Sequence, residues 1–386
     1  MVFIVFLISA NLYLFIRGLQ ALPRMPAIKI LYSVIVLLLT GLVFLSYYFN
    51  ESLPERLDYL LRLIRKYYII FFVLFFLSAV LADSLRLLNY FFGIFPDWVV
   101  ANYSRVKVIY FLVTVIITSV ISISGFRRFS NTEIVDLSLP LLNQKMDVNQ
   151  VSIIAASDLH LGKLVRRERL AAWTEMINEE NPDLILLVGD IFDHTFLPKE
   201  SDGIIEELKK LKSKYGVYAV PGNHEYYFNI KKSLDYLERS GIKVLRDTIV
   251  VIDNQLILAG RDDAHNHKRK TVESLLSGAD TRLPVIMMDH QPVDLHSSVK
   301  NKVDLQISGH THNGQVFPGN YLAKLKWELV YGYRKIEDSN FYVTSGLGLS
   351  FIPIRIGTRS EIVRINLTGR DTSTAESLEK EVLSYE

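Results

Sequence analysis

"VSIIAASDLHLGKLVRRERLAAWTEMINEENPDLILLVGDIFD", Val151 to Asp193, reads as strand, helix, strand. "VSIIAAS" is a short apolar run of strand type. "RRERLAAWTEMINEEN" repeats Leu170, Trp173 and Ile177 at helical spacing before a second apolar run, "DLILLVG". The pattern continues with "SDGIIEELKKLKSKYG", in which Ser201 is placed to cap a helix and Gly216 lies just past its end, and with the strand "VYAVPG". Apolar strands divided by amphipathic helices predict a sheet covered by helices, with chemistry at the strand C-terminal ends.

Further on, "IVVIDNQLILAG" sets Asp253 and Asn254 between two apolar runs and predicts a hairpin. "LPVIMMDHQP", "VDLQISGHTH", "NFYVTSG" and "EIVRINL" add strands beyond what one doubly wound sheet requires, so two packed sheets are expected in an α/β fold. The closing "TGRDTSTAESLEKEVLSYE" is polar and charged, a frayed tail or a short surface helix.

The chain has 386 residues, with Lys+Arg 43 against Asp+Glu 41. That balance gives no sign of a nucleic-acid partner. There is no cysteine, which excludes disulfides and thiolate metal sites and leaves only N and O ligands. Hydrophobic residues make up 49%, and the excess lies before Ser130. Val2 to Ile16, Ile30 to Phe49, Tyr67 to Ala82 and Val108 to Ile123 are apolar on every side of a helical wheel. Each approaches or reaches the roughly 17 to 25 residues of a bilayer-spanning helix. The first is the shortest; it lacks a basic leader and a small-residue cleavage site, so it reads as a span and not as a signal peptide.

Residues 1–129 are therefore expected to be a multi-pass cell-membrane anchor of about four transmembrane helices, followed by a linker over 130–150, an α/β domain over 151–367 and a polar tail over 368–386. Arg17, Arg24 and Lys29 in the first loop nearly balance Arg56, Arg62, Arg65 and Lys66 in the second, so the basic counts do not set the orientation. Asp83 and Arg86, three apart, form a pair on a helix, read as snorkelling at the interface with a functional intramembrane pair as the alternative.

The strand ends carry the chemistry. Asp158 and His160 follow the first strand, Gly189, Asp190 and Asp193 the second, and Gly222, Asn223, His224 and Glu225 the third. Asp289 and His290 follow "VIMM", and Gly309, His310 and His312 follow "DLQI". All 9 histidines fall between His160 and His312. A lone strand-end histidine is an ordinary structural residue, but five recurrences at successive strand ends are a strong signal for a metal site. Imidazole, carboxylate and amide donors together suit Mn, Fe, Zn, Co or Ni more than Mg or Ca. The set exceeds one tetrahedral site and suffices for two ions sharing a carboxylate, the arrangement that clamps attacking and leaving oxygens in a phosphoryl displacement.

"DLH", "GDIFD", "GNHE", the histidine of "MMDHQP" and "GHTH" resemble, in order, the five blocks of the calcineurin-like metallophosphoesterase superfamily. "GNHEYY", "GHTHNGQVFP" and "SGLGLSFIPIRIGTRSEI" are similar further to its YkuE-type branch, whose members are often exported or membrane-associated. The resemblance runs from Val151 to about Leu367 and does not reach the apolar segments. It implies a four-layer αββα sandwich preceded by an all-α transmembrane region. It also implies a dinuclear metallophosphoesterase holding two divalent ions, Mn, Fe or Zn. Asp158, His160 and His312 would hold the first ion, and Asn223, His290 and His310 the second, with Asp190 as the bridge. A hydroxide shared by the ions would attack a phosphoester or pyrophosphate. His224 would act on the phosphoryl oxygen or leaving group, with Glu225 orienting it and Asp193 supporting from behind.

His194, His265, His267 and His296 lie outside the blocks and read as surface or loop residues; "RDDAHNHKRK" is a solvated basic run or an anion contact. Arg355 and Arg359 are candidates to grip phosphate. The membrane anchor makes lipids partners and a lipid-linked phosphate a candidate substrate; "LGLSFIPIRIG", with Phe351, Ile352 and Ile354 beside Arg355, reads as a buried strand and turn completing the second sheet or as a loop in contact with acyl chains. The competing reading is a membrane sensor or scaffold whose phosphoesterase-like domain binds ligand without turnover.

Overall fold

The computed structural model describes residues 2–48, 54–142, 150–162, 164–194, 196, 201–280, 282–350 and 352–369. They divide into two compact units, Met1–Phe126 and Arg127–Glu386.

The first unit is helical: α1 (Val2–Ala21), α2 (Pro26–Tyr48), α3 (Glu55–Phe92), the short α4 (Asp97–Ala101) and α5 (Tyr103–Ser130). Among the described residues, Pro26–Leu45, Tyr67–Phe92 and Tyr103–Ser130 are long and apolar enough to cross a membrane, and Val5–Ala21 is a shorter apolar stretch. Three of the four expected spans thus reach full length, while the first falls short of it. The third apolar run does not end at Ala82: α3 continues through Asp83 and Arg86 until Gly93 adopts the left-handed conformation that closes it, its N–H bonding Asn89 O at 2.9 Å. Asp83 and Arg86 do pair, at 2.8 Å, but Asp83 also takes Arg17 at 2.5 Å and the Tyr13 hydroxyl at 2.7 Å. It is a hub joining α1 to α3, which simple snorkelling does not describe.

The second unit opens with β1 (Thr132–Leu142), β2 (Gln150–Ala156), α6 (Arg167–Glu179), β3 (Leu184–Val188), α7 (Ser201–Leu208) and β4 (Val217–Val220). α8 (Asn223–Phe228), α9 (Ile230–Arg239), β5 (Lys243–Val244), β6 (Thr248–Ile252), β7 (Leu256–Gly260) and α10 (Val272–Leu275) follow. β8 (Val285–Met288), α11 (Leu295–Lys300), β9 (Leu305–Ser308), α12 (Gly319–Lys324), β10 (Gly332–Ile336), β11 (Ser339–Val343) and β12 (Ser360–Gly369) complete it. One mixed sheet runs β1-β12-β2-β3-β4-β5 and the other β10-β11-β9-β8-β7-β6.

Alternation along the strands fills the layers, because successive side chains point to opposite faces. Ile153 of β2 and Leu186 of β3 pack with Leu258, Ile286 and Ile307 of the other sheet. Their neighbours Ile154 and Leu187 face outward, where Leu170, Trp173 and Ile177 of α6 cover them with Ile204 and Leu208 of α7. On the far side Ile257, Val285 and Met287 meet Val272 and Leu275 of α10. The result is the expected four-layer αββα sandwich. The β6–β7 hairpin turns at Asp253 and Asn254, both at positive φ, with Gln255 N–H bonding Ile252 O at 2.9 Å.

The linker expected over 130–150 is corrected in its first part. Thr132 to Leu139 pair in parallel with Ser360 to Leu367, and Leu137 and Leu139 are buried between the sheets. Polar residues alternating within "TEIVDLSLPLL" conceal the strand, since it lies at a sheet edge. Phe129 is also buried in the core under α6, its carbonyl accepting from Arg169 Nη2 at 2.6 Å. The tail beyond Gly369 and residue Phe351 lie outside the described residues.

Candidate metal centre

The C-terminal ends of β2, β3, β4, β8 and β9 meet at one place, and each delivers at least one donor. Asp158, His160, Asp190, His310 and His312 all have positive φ, between 48° and 69°. Non-glycine residues in that region carry a backbone cost that surrounding structure must offset. Here Asp158 N–H bonds Gly189 O at 3.0 Å, His160 N–H bonds Asp190 O at 2.9 Å, and His310 N–H bonds Asp158 Oδ2 at 3.0 Å. The turns are also too tight for side chains at two positions. A Cβ on Gly222 would lie 2.2 Å from Asp190 Oδ1, and one on Gly309 would lie 2.3 Å from Asp158 Oδ2.

Of four donor groups among the described residues, which include His160 with Asp190 and His224, and Asp193 with His194 and His224, two carry the expected ligands. Asp158, His160 and His312 form one, with His312 Nε2 3.0 Å from His160 Nε2 and 3.4 Å from Asp158 Oδ1. Asp190, His290 and His310 form the other. Asp190 Oδ2 faces both groups, 3.1 Å from His290 Nε2 and 3.9 Å from His160 Nε2. All but His310 are buried, and His310 is half-buried. Asn223, the amide donor, is buried beside them.

Electrostatics divides the histidines. Burial alone would raise the Asp190 carboxyl, but the adjoining His290, with His160 and His224, holds it well below the usual carboxylate range. Burial opposes charge on His290 too, and Asp190 outweighs it, so that imidazole rises well above its ordinary value. Burial and His290 depress His310 to about 4, and burial with His160 and Arg355 holds His312 well below its ordinary value. Both are thus neutral near pH 7, the form in which imidazole ligates metal.

The donors suit a divalent cation. His290 Nδ1 donates to Val188 O at 2.8 Å, which leaves Nε2, 3.1 Å from Asp190 Oδ2, as the ring nitrogen that would ligate a metal in place of its proton. Asn223 Oδ1 is buried with no hydrogen-bond partner among the described residues, a stranded acceptor of the kind a metal satisfies. Nitrogen and oxygen donors in this mixture match borderline divalent metals.

Glu225 does not orient His224. Its carboxylate accepts from Asp190 N–H at 2.9 Å, Gly222 N–H at 2.7 Å and Phe192 N–H at 2.9 Å, locking the β3 and β4 loops together. Burial and nearby Asp190 push this carboxyl up to about 7, against three backbone donors that favour its ionised form. Asp193 is the residue beside His224, its Oδ2 3.5 Å from His224 Nδ1 and 3.6 Å from His160 Nδ1. Burial would lower His224, but Asp193 and Asp190 more than compensate and raise it.

The candidates outside the blocks separate. His194 lies at the rim, Nδ1 3.3 Å from Asp193 Oδ1, and His265 stands against the Tyr226 and Tyr227 rings. His267 and His296 are exposed. Arg261 and Arg269 of the basic run are spent on the buried Asp289, at 3.0 and 3.1 Å. Arg355 is spent on backbone carbonyls: it is 1% exposed and donates to Ser345 O, Gly346 O, Gly348 O and Arg359 O. Arg359 is held by Glu133 at 2.8 Å and Tyr331 at 2.9 Å. Ile354 is fully buried, which at that position agrees with the buried reading of the loop and not with acyl-chain contact. Sequence reading missed Trp327, whose ring meets His310 edge-on at 5.1 Å; it lies in a long connection that carries no motif.

Residues 151–314 match the profile of the calcineurin-like phosphoesterase family. A metallophosphoesterase of Campylobacter jejuni is 30% identical over 385 residues, covering 95% of this chain and 98% of that protein. The chain belongs to the calcineurin-like metallophosphoesterase family. It is therefore classed with hydrolases of phosphoester bonds. A Danio rerio transmembrane protein with metallophosphoesterase domain is 33% identical over 273 residues, 66% of this chain and 62% of its own length. The YkuE metallophosphoesterase of Bacillus subtilis is 31% identical over 226 residues, 56% of this chain and 78% of its own length. The match to the C. jejuni metallophosphoesterase extends through the apolar helices, consistent with a multi-pass membrane protein.

Proposed function

We propose that this metallophosphoesterase is a dinuclear phosphohydrolase, with Asp158, His160 and His312 holding one divalent ion, Asn223, His290 and His310 the second, and Asp190 shared. The observation that carries the reading is Asp190 Oδ2 standing between the two donor groups. Mn, Fe or Zn suits the imidazole-rich set. Bound ions of this kind polarise phosphoryl oxygen and make water acidic enough to attack near neutral pH. His224 lies against the first group, ring centroid 4.5 Å from that of His160, and its raised pKa favours the imidazolium. It donates a proton or a charged hydrogen bond to the phosphoryl oxygen or leaving group while Asp193 holds its Nδ1 side.

Phosphomonoesters, phosphodiesters and pyrophosphates all fit such a centre. The favoured substrate is amphipathic, a phospholipid or lipid-linked phosphate. The chain carries membrane-spanning helices, and Tyr321, Leu322 and Leu325 are exposed just before Trp327 at His310. The test is turnover of a phosphoester panel by purified protein, with metals restored singly after chelation. Metal-dependent hydrolysis supports the proposal; full activity after chelation, or none with any metal, rejects it.

A further inference from the structure

The helical unit contains a cavity of about 780 Å³ lined by α1, α2, α3 and α5. That is within the range of small-molecule sites. Its walls are apolar and aromatic, with Phe71, Phe72 and Phe75 from α3 and Ile35 and Leu39 from α2. Internal polar groups of the bundle satisfy one another: Thr40 meets the Tyr68 hydroxyl at 2.9 Å, and Ser78 meets Tyr110 at 2.7 Å.

One end of this cavity is cationic. Arg17 near the end of α1, Arg86 near the end of α3 and Lys107 near the start of α5 converge there, and Asp83 is the single carboxylate lining it among the described residues. Arg17 and Arg86 share Asp83, at 2.5 and 2.8 Å. Among the described residues Lys107 hydrogen-bonds only the neutral Gln20 carbonyl, at 2.8 Å, and it shares the Tyr103 ring with Arg86 at 5.6 and 5.8 Å. Arg24 and Lys29 add positive charge at Lys107. Ionisable groups at membrane helices are costly and are retained where something pairs with them, and three cations for one carboxylate leave a site for an anion.

We infer that this cavity binds an anionic lipid, its phosphate held by Arg17, Arg86 and Lys107 and its acyl chain laid along the aromatic wall. Guanidinium groups suit phosphate because their paired donors match its oxygens, and basic pockets between membrane helices recognise anionic head groups. The site lies wholly within the helical unit, and it is independent of the metal centre's chemistry.

Full-length protein, stripped of lipid in mild detergent, is titrated with phosphatidylglycerol, with phosphatidylcholine of the same chains, and with soluble glycerol phosphate, and read by native mass spectrometry. Phosphatidylglycerol is expected to be retained at least about tenfold more tightly than phosphatidylcholine, with no retention of glycerol phosphate. Lys107→Gln combined with Arg86→Gln should remove that preference. Ala79→Phe, which fills the cavity and keeps every charge, should cut retention of phosphatidylglycerol. Hydrolysis of a soluble phosphoester by Lys107→Gln should persist, which separates this site from the catalytic one. Equal retention of the two lipids, or glycerol phosphate binding as tightly as phosphatidylglycerol, overturns the inference. If the double variant fails to fold, unchanged lipid retention by Ala79→Phe overturns it alone.

Discussion

The Nε2 atoms of His160 and His312 stand 3.0 Å apart at the ends of strands in different sheets. His312 is held neutral by burial and His160, and its Nε2 also faces an Asp158 oxygen at 3.4 Å. Two imidazole nitrogens and a carboxylate oxygen this close together are well made for a cation. Metal should therefore stabilise the catalytic unit: chelation is expected to lower its Tm, and restoring Mn, Fe or Zn to recover it, since a ligand bound only by the folded state adds stability. An unchanged Tm would oppose the assignment.

His224 and Asp190 should behave differently on substitution. Asp190→Ala removes the carboxylate common to both groups and should lose metal and turnover together. His224→Ala should keep most of the metal while kcat falls on the order of 10²- to 10⁴-fold, the usual range for a general acid. Wild-type hydrolysis by either variant would dismiss the roles given them.

Glu225 and Arg355 are predicted to be structural. Glu225→Ala strands three backbone N–H groups, at roughly 1–3 kcal/mol each where no water replaces them. Arg355→Met likewise strands buried carbonyls. Both should lower Tm, and Arg355→Met should leave KM for a soluble phosphoester near wild type. A large KM increase with unchanged Tm would put Arg355 back at the substrate.

A soluble fragment should begin at Arg127, not at Val151. Starting at Val151 deletes β1 and bares β12 as an unpaired edge, which favours aggregation. Size-exclusion profiles of the two fragments decide this; a monodisperse, active protein from Val151 onward would show β1 to be dispensable.

The sandwich and donor loops were legible because strand and helix periodicities differ and because Asp, Asn and His recur at successive strand ends. The β1 edge strand was not, since "TEIVDLSLPLL" mixes polar residues into its alternation. Nor were the duties of Glu225 and Arg355: a carboxylate next to His224 in sequence and an arginine in a glycine-rich loop look functional until their partners prove to be backbone. The assembly of Arg17, Arg86 and Lys107 around Asp83 depends on helix packing that linear spacing does not contain.

If exposed Tyr321, Leu322 and Leu325 present the site to lipid, Leu322→Ser with Leu325→Ser should reduce kcat/KM for a lipid-linked phosphate in mixed micelles and spare its short-chain soluble analogue. Equal effects on both substrates would favour soluble phosphoesters.

The most direct test of the central claim is elemental analysis, paired with turnover, of protein purified without chelator. The account predicts about two divalent ions per chain, and their parallel loss with activity in Asp190→Ala. Metal-free protein that hydrolyses phosphoesters at the full rate would contradict it.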